Sequence, residues 1–148
     1  MSDNPNHVTI VMVEDDEGHA RLIEKNIRRA GVSNEIKAFA DGTSALEFLL
    51  GTDRTGAHRR GEALLILLDL NLPDMTGIDI LKAVKASPHL KATPIVVLTT
   101  TDDQREIERC YELGASVYVA KPVNYENFAD AIRQLGQFFS VIKVPEAK

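Results

Sequence analysis

The sequence predicts a single α/β domain built on a doubly wound parallel sheet of five strands and five helices. Apolar runs of strand length alternate along the chain with segments whose apolar residues recur every three or four positions. The strand-like runs are almost continuously apolar, as in parallel strands that are buried on both faces. A chain of 148 residues is long enough to bury a proper core in one domain.

The first strand–helix unit is predicted from a continuous apolar run followed by a helical repeat. The run at residues 8–13 is read as the first strand, and the helix after it stops at Gly31. The apolar positions of that helix are Ala20, Ile23, Ile27 and Ala30. A weaker pattern at residues 35–39 predicts a short second strand.

A turn signal and a polar segment bracket the second predicted helix. Either Asp41 or Thr43 could cap this helix, which runs through Leu50. Residues 51–61 are polar, basic and bracketed by glycines, so we expect an exposed insertion loop or a helix extension there.

The third and fourth strands are the apolar runs that end at residues 69 and 98. Between them lies a turn-rich loop at residues 71–77, followed by a helix at residues 78–86. Ser87-Pro88 should end this helix, because the residue before a proline disfavours helical geometry.

The last part of the chain contributes a strand between two helices. One face of the fourth helix is predicted to carry Ile107, Cys110, Tyr111 and Gly114. The fifth strand is residues 116–120, and the fifth helix carries Phe128, Ile132, Leu135 and Phe139. We expect one domain over residues 8–139, with a disordered N-terminus at residues 1–7 and a tail at residues 140–148.

Composition and charge disfavour several classes of function. The net charge of −5 gives no general attraction for nucleic acid or for an anionic membrane. No stretch approaches the roughly 20 apolar residues that span a bilayer, and the polar N-terminus lacks the layout of a signal peptide. Because Cys110 is the only cysteine, there is no internal disulfide, a cytoplasmic location fits, and a zinc site is disfavoured.

Four predicted strands end in side chains suited to metal or phosphate chemistry. These side chains are Glu14 and Asp15 after the first strand, Asp69 at the end of the third, Thr99 after the fourth and Lys121 after the fifth. In the flavodoxin-like order 2-1-3-4-5, the first and third strands are neighbours, so their carboxylates could reach one ion at the carboxyl edge.

These residue types suit Mg²⁺-dependent phosphoryl transfer. Asp15 and Asp69 would bind Mg²⁺, with Glu14 acting directly or through water and a main-chain carbonyl near Asn71 adding an oxygen. An aspartate can also be the nucleophile that forms an acyl phosphate. Lys121 would supply a second positive charge, and the Thr99 hydroxyl would donate to a phosphoryl oxygen.

Each of these residues also has an ordinary structural interpretation. The acidic run from Glu14 to Asp16 could simply cap the first helix, and Thr99 could be a polar strand end. Lys121 could be a surface lysine, and Tyr118 a half-buried strand aromatic. Their conjunction at successive strand ends favours the functional interpretation.

Four motifs, covering about residues 8–138, resemble those of response regulator receiver domains from two-component signalling. They are Val13-Glu14-Asp15-Asp16, Leu68-Asp69-Leu70-Asn71-Leu72-Pro73 with Met75-Thr76-Gly77, Leu98-Thr99-Thr100, and Ala115-Ser116-Val117-Tyr118-Val119-Ala120-Lys121-Pro122. The resemblance implies that Asp69 is the phosphoacceptor, that Glu14 and Asp15 are the acidic pair, and that Asn71 offers its main-chain carbonyl to Mg²⁺. It further implies that Thr99 and Tyr118 are switch residues, that Lys121 binds phosphate, and that the Lys121-Pro122 bond is cis.

By the same resemblance, the chain would receive its phosphoryl group from a sensor histidine kinase. Thr99 would move toward the new phosphoryl oxygens, and Tyr118 would turn inward into the vacated space. The face formed by helix four, strand five and helix five would then change shape, which is a bias on an existing equilibrium.

Three departures from the usual receiver pattern indicate a subgroup. Glu14 replaces the commoner Asp, Thr100 stands where many members have Ala, and residues 51–61 lengthen the connection before the third strand. With the apolar tail, these features resemble the small stand-alone regulators of bacterial phytochrome kinases, which often form homodimers. The apolar cluster Phe138, Phe139, Val141 and Ile142 could therefore be a dimer interface, or could pack on the domain's own sheet.

Output would then proceed through protein contacts or by passing the phosphoryl group onward. A degenerate receiver that only docks partners is one alternative, but the complete set of acidic, hydroxyl and lysine residues argues against it. A small Mg²⁺-dependent aspartyl phosphatase is another. That class normally needs a second acid two residues after the nucleophile, where this chain has Asn71.

Overall fold

The computed structural model describes residues 8–29, 32–50, 63–88, 90–99 and 103–120, with residues 126 and 130. Five parallel strands form one sheet in the order β2-β1-β3-β4-β5, which confirms the flavodoxin-like α/β prediction. The strands are β1 (Val8–Val13), β2 (Ile36–Phe39), β3 (Ala63–Asp69), β4 (Ile95–Thr99) and β5 (Val117–Ala120).

Four α-helices connect the strands within the described ranges. They are α1 (Glu17–Arg29), α2 (Gly42–Leu50), α3 (Gly77–Ala86) and α4 (Gln104–Glu112). None of the described helices is long and apolar enough to cross a bilayer. The predicted fifth helix, the insertion at residues 51–61, and the segments 1–7 and 140–148 lie outside the described residues.

The pairing of the three central strands determines which residues meet at the carboxyl edge of the sheet. Val13 of β1 pairs with Leu68 of β3, and Asp69 pairs with Leu98 of β4. The residues that directly follow β1 therefore lie beside the end of β3. The end of β4 lies on the other side of Asp69.

The core lies on both faces of the sheet because alternate strand residues point to opposite sides. One face packs on α1 through Ile10, Met12, Leu65, Leu67, Ile23 and Ile27. The other packs on α2, α3 and α4 through Val11, Ile66, Leu68, Phe48, Leu81 and Cys110. Burying one such aliphatic or aromatic side chain contributes about 1.5–3 kcal/mol. The two-sided burial explains why the strands are continuously apolar in sequence.

Side-chain caps fix the starts of α2 and α3. The Asp41 carboxylate accepts hydrogen bonds from the Ser44 N–H at 2.6 Å and the Ser44 hydroxyl at 3.2 Å, so Asp41 caps α2 and Thr43 does not. Helix α3 begins one residue earlier than predicted. Thr76 and Asp79 form a reciprocal capping box that brings Gly77 into the first turn.

The prediction of which residues form the buried face of α4 is only half correct. Ile107 and Cys110 are buried, but the Tyr111 side chain is 45% exposed. The buried stripe of α4 consists of Ile107 and Cys110, and Tyr111, about 100° around the helix axis from Cys110, lies beyond the edge of that narrow stripe. The helix ends at Glu112, and Gly114 lies beyond it with a φ of 112°, a left-handed conformation that glycine adopts without strain.

Candidate functional site

The structure brings together three of the carboxylates singled out from the sequence. One ligand atom from each of Glu14, Asp15 and Asp69 lies within 4.8 Å of the other two. Oxygens about 2.1 Å from one Mg²⁺ are up to about 4.2 Å apart, so small side-chain rotations would bring all three into one coordination shell. Glu14 and Asp69 are buried, while Asp15 is exposed. The residues present therefore fit a hard divalent cation.

The three acidic residues after β1 have two different roles, one at the start of α1 and one in the carboxylate cluster. Asp16 caps α1, because its carboxylate accepts a hydrogen bond from the His19 N–H at 2.9 Å. The Glu14 carboxylate instead accepts the Asp16 N–H at 3.1 Å and lies 3.9 Å from the imidazole Nδ1 of His19. The capping interpretation thus holds for Asp16, whereas Glu14 and Asp15 join Asp69.

Asp69 ends the central strand and is oriented by the loop that follows it. Its Oδ1 accepts a hydrogen bond from the Asn71 N–H at 3.2 Å. The loop turns back sharply, because the Gly77 N–H donates to the Leu70 carbonyl at 2.9 Å and Asn71 forms an antiparallel bridge with Thr76. A buried carboxylate at a sheet edge, with one oxygen fixed by a main-chain donor, suits in-line attack on phosphorus.

The predicted switch residues lie on the next two strands. Thr99 is the last residue of β4, directly after the partner of Asp69, and is almost completely buried. Tyr118 of β5 pairs with Val97 of β4 and is partly exposed. The main-chain N–H of Tyr118 donates a hydrogen bond to the Tyr111 hydroxyl at 3.2 Å. Lys121, the Lys121-Pro122 bond, Thr100 and the apolar cluster Phe138, Phe139, Val141 and Ile142 lie outside the described residues.

One contact of this region was not predicted from the sequence. The Asp74 carboxylate accepts hydrogen bonds from the N–H groups of Gly42 and Thr43, each at 2.9 Å, and from the Thr43 hydroxyl. The Thr43 hydroxyl makes the largest contribution to lowering the pKa of Asp74 to about 2, followed by the two main-chain donors. The partners are more than 30 residues apart, so no local pattern could have revealed the contact.

Comparisons with known proteins agree with this geometry. A family model described as "Response regulator receiver domain" matches residues 10–133. The response regulator Rcp1 of Synechocystis is 31% identical over 150 residues, covering 99% of this chain and all of that protein.

Solved structures show the same similarity. A response regulator receiver domain from Rhodospirillum rubrum is 73% identical with a TM-score of 0.75, and the match covers 95% of this chain and 99% of that one. The bacteriophytochrome response regulator RtBRR is 36% identical with a TM-score of 0.81, covering 93% and 83%.

Two further similar structures are those of a metal-bound and of a phosphorylated protein. One is a Mn(2+)-bound form of Rcp1, which is 29% identical with a TM-score of 0.71 and covers 93% and 99% of the two chains. The other is the phosphorylated cyanobacterial phytochrome response regulator RcpA, 30% identical with a TM-score of 0.75 over 95% and 99%. The fold, the carboxylate cluster and the match over residues 10–133 together identify this chain as a member of the response regulator receiver domain family.

Proposed function

We propose that the chain is a response regulator that accepts a phosphoryl group on Asp69 from a histidine kinase in a reaction that depends on a divalent cation. The observation that carries the proposal is the placement of Asp69 within the three-carboxylate cluster, with one of its oxygens held by the Asn71 N–H. The relatives support the chemistry, because one was crystallised with Mn²⁺ and another in the phosphorylated state.

The transfer is a direct displacement at phosphorus. An Asp69 carboxylate oxygen forms the new O–P bond while the N–P bond to the donor histidine breaks, and the imidazole leaves with the electron pair. Glu14, Asp15 and Asp69, with the Asn71 main-chain carbonyl, are the groups that would hold Mg²⁺. The bound ion would offset charge on the phosphoryl oxygens. Lys121, directly after the last residue of β5, would neutralise further charge.

Phosphorylation would signal through Thr99 and Tyr118. An acyl phosphate carries roughly two negative charges where the carboxylate carried one, so it adds about one negative charge beside the end of β4. A hydroxyl at Thr99 is a natural donor to the new oxygens, and its movement would leave space for the partly exposed Tyr118 ring. The proposed output is a change in the surface formed by α4, β5 and the predicted fifth helix, which a downstream protein or phosphotransfer partner would recognise. In this proposal the chain signals by binding and is not a turnover enzyme.

The experiment is phosphorylation by a small acyl phosphate with Mg²⁺, followed by intact mass. We expect a gain of one phosphoryl group that EDTA prevents and that Asp69→Asn abolishes. Asp79→Asn is the matched control, because Asp79 is an exposed aspartate that belongs to the cap of α3. Absence of the gain both with small donors and with a panel of histidine kinases would favour a docking module. Sustained hydrolysis of a phosphate ester would favour a phosphatase.

The input kinase is proposed to be a bacterial phytochrome. Similarity to RtBRR and RcpA over more than 90% of this chain supports this assignment. Such a kinase uses cytoplasmic ATP, so the proposal also places the chain in the cytoplasm. We expect faster phosphotransfer from purified phytochrome kinases than from a chemotaxis kinase, and equal rates would contradict the assignment.

A homodimer through Phe138, Phe139, Val141 and Ile142 is also part of the proposal. It is supported by the apolar character of this cluster in the sequence. Sedimentation should give a dimer for the native chain and a monomer when Phe139 and Ile142 are both replaced by Ser. A native chain that sediments as a monomer would contradict it.

A further inference from the structure

The loop between β3 and α3 is attached to the start of α2 by two neighbouring side chains. Asp74 accepts both main-chain N–H groups at Gly42 and Thr43 and the Thr43 hydroxyl. Met75 packs directly over the Gly42 Cα, where a Cβ would lie 2.5 Å from the Met75 side chain. The absence of a side chain at Gly42 is therefore what allows the loop to approach the helix so closely.

The same loop also holds the carboxylate that would accept the phosphoryl group. Asn71 donates its N–H to Asp69 and bridges to Thr76, and the Gly77 N–H closes the loop on Leu70. Residues 71–76 thus form a short closed loop. One end of it contacts the acceptor carboxylate, and its tip is fixed to α2.

The attachment at the tip is electrostatic as well as geometric. The first N–H groups of a helix carry the positive end of its dipole, and a carboxylate there is stabilised. The low pKa of Asp74 keeps the group ionised throughout the neutral range. The carboxylate therefore stays charged under physiological conditions, and the contact does not act as a pH switch.

We propose that Asp74 is a positioning residue for the phosphoacceptor, because its attachment to α2 fixes the loop whose Asn71 N–H orients Asp69 and whose Asn71 carbonyl serves the cation. This inference rests on the proposed function and extends it to a residue that touches neither the phosphoryl group nor the ion. Without Asp74, the tip of the loop loses three donors from α2. The loop then keeps its packing contact between Met75 and Gly42 but has lost the hydrogen bonds that fix its tip.

The test compares two carboxylates that cap the same helix. Asp74→Ala removes the long-range attachment. Asp41→Ala removes the local cap on Ser44 and leaves the contacts of the β3–α3 loop intact. The measurements on the full chain are the Mg²⁺ dissociation constant from amide NMR shifts, and the rate of phosphorylation by a small acyl phosphate at saturating Mg²⁺.

We expect Asp74→Ala to weaken Mg²⁺ binding and to slow phosphorylation by roughly tenfold each, as when groups that hold metal ligands in place are removed. Asp41→Ala should lose thermal stability while both functional values stay within about twofold of the native chain. Asp74→Asn keeps an acceptor oxygen and should recover part of the loss. The Asn71 amide resonance should shift in Asp74→Ala and not in Asp41→Ala.

Native values for both measurements in Asp74→Ala would overturn the inference. So would equal losses in the Asp74 and Asp41 variants, since those would mean that the start of α2 matters only for stability. A native chain that neither binds Mg²⁺ nor gains a phosphoryl group would overturn the proposed function itself, and the role of Asp74 with it.

Discussion

Replacing Gly77 by Ala should damage the proposed phosphoacceptor site, although residue 77 contributes no group to the reaction. A Cβ at this position would lie 2.5 Å from the Asp69 carbonyl oxygen and 2.8 Å from the Leu70 Cα. Both atoms belong to the main chain, so no side-chain rotation can relieve the overlap. The shortest of these distances is about 0.9 Å less than an ordinary van der Waals contact, and the end of β3 must move to absorb it.

The magnitude follows from two opposing contributions. Forcing an extra methyl into a packed site costs about 1–3 kcal/mol, and Ala in place of Gly in a helix recovers at most about 1 kcal/mol. The middle of the resulting range is a net loss of about 1–2 kcal/mol, which for a chain of this length is a fall in Tm of about 2–8 °C. Because Asp69 itself is displaced by a large part of an ångström, phosphorylation should slow by about 10- to 100-fold.

The assay is thermal unfolding followed by circular dichroism, together with the rate of phosphoryl gain by intact mass. Gly18→Ala is the matched control, because a Cβ there meets only the Asp16 carboxylate, at 3.3 Å, near the exposed start of α1. The Gly18→Ala variant should keep the native rate of phosphorylation, and its thermal stability should equal or slightly exceed that of the native chain. If Gly77→Ala were as stable and as reactive as Gly18→Ala, the steric argument would be refuted.

Three other substitutions test the hydrophobic core, the cap of α3 and the charge of Asp74 separately. Leu67→Ala removes a fully buried side chain and should cost about 2–5 kcal/mol in urea unfolding; a loss below 1 kcal/mol would contradict the packing described. Thr76→Ala removes the cap of α3 and should cost about 1 kcal/mol by the same assay, with native stability as the contrary result. The depressed pKa of Asp74 stabilises the fold above pH about 4, and this stabilisation is lost as pH falls toward about 2. The free energy of unfolding should therefore depend less on pH in this interval in Asp74→Asn, and parallel curves would count against the contact.

The sequence predicted those parts of the fold that depend on local pattern. Residues 64–68, just before Asp69, could be read as a buried strand because all of them are apolar. Residues that end neighbouring parallel strands meet at one edge of the sheet, which located the acidic cluster. Tyr111 was misplaced because its apolar ring adjoins Cys110 in the helical repeat, whereas the buried stripe of α4 is narrow and contains only Ile107 and Cys110. Asp74 was missed because its partners at Gly42 and Thr43 come from an earlier turn of the chain, and only the folded topology brings them together.

Burial of the chain's single cysteine has a practical consequence for experiments. Cys110 lies on the buried face of α4 and packs in the core. Burial, followed by the nearby Glu106 charge, raises the pKa of its thiol. Alkylating reagents attack the exposed thiolate, so this residue should remain unmodified in the folded chain. A fluorophore or spin label can therefore be attached through a cysteine introduced at an exposed site such as Glu112, with the native thiol left in place.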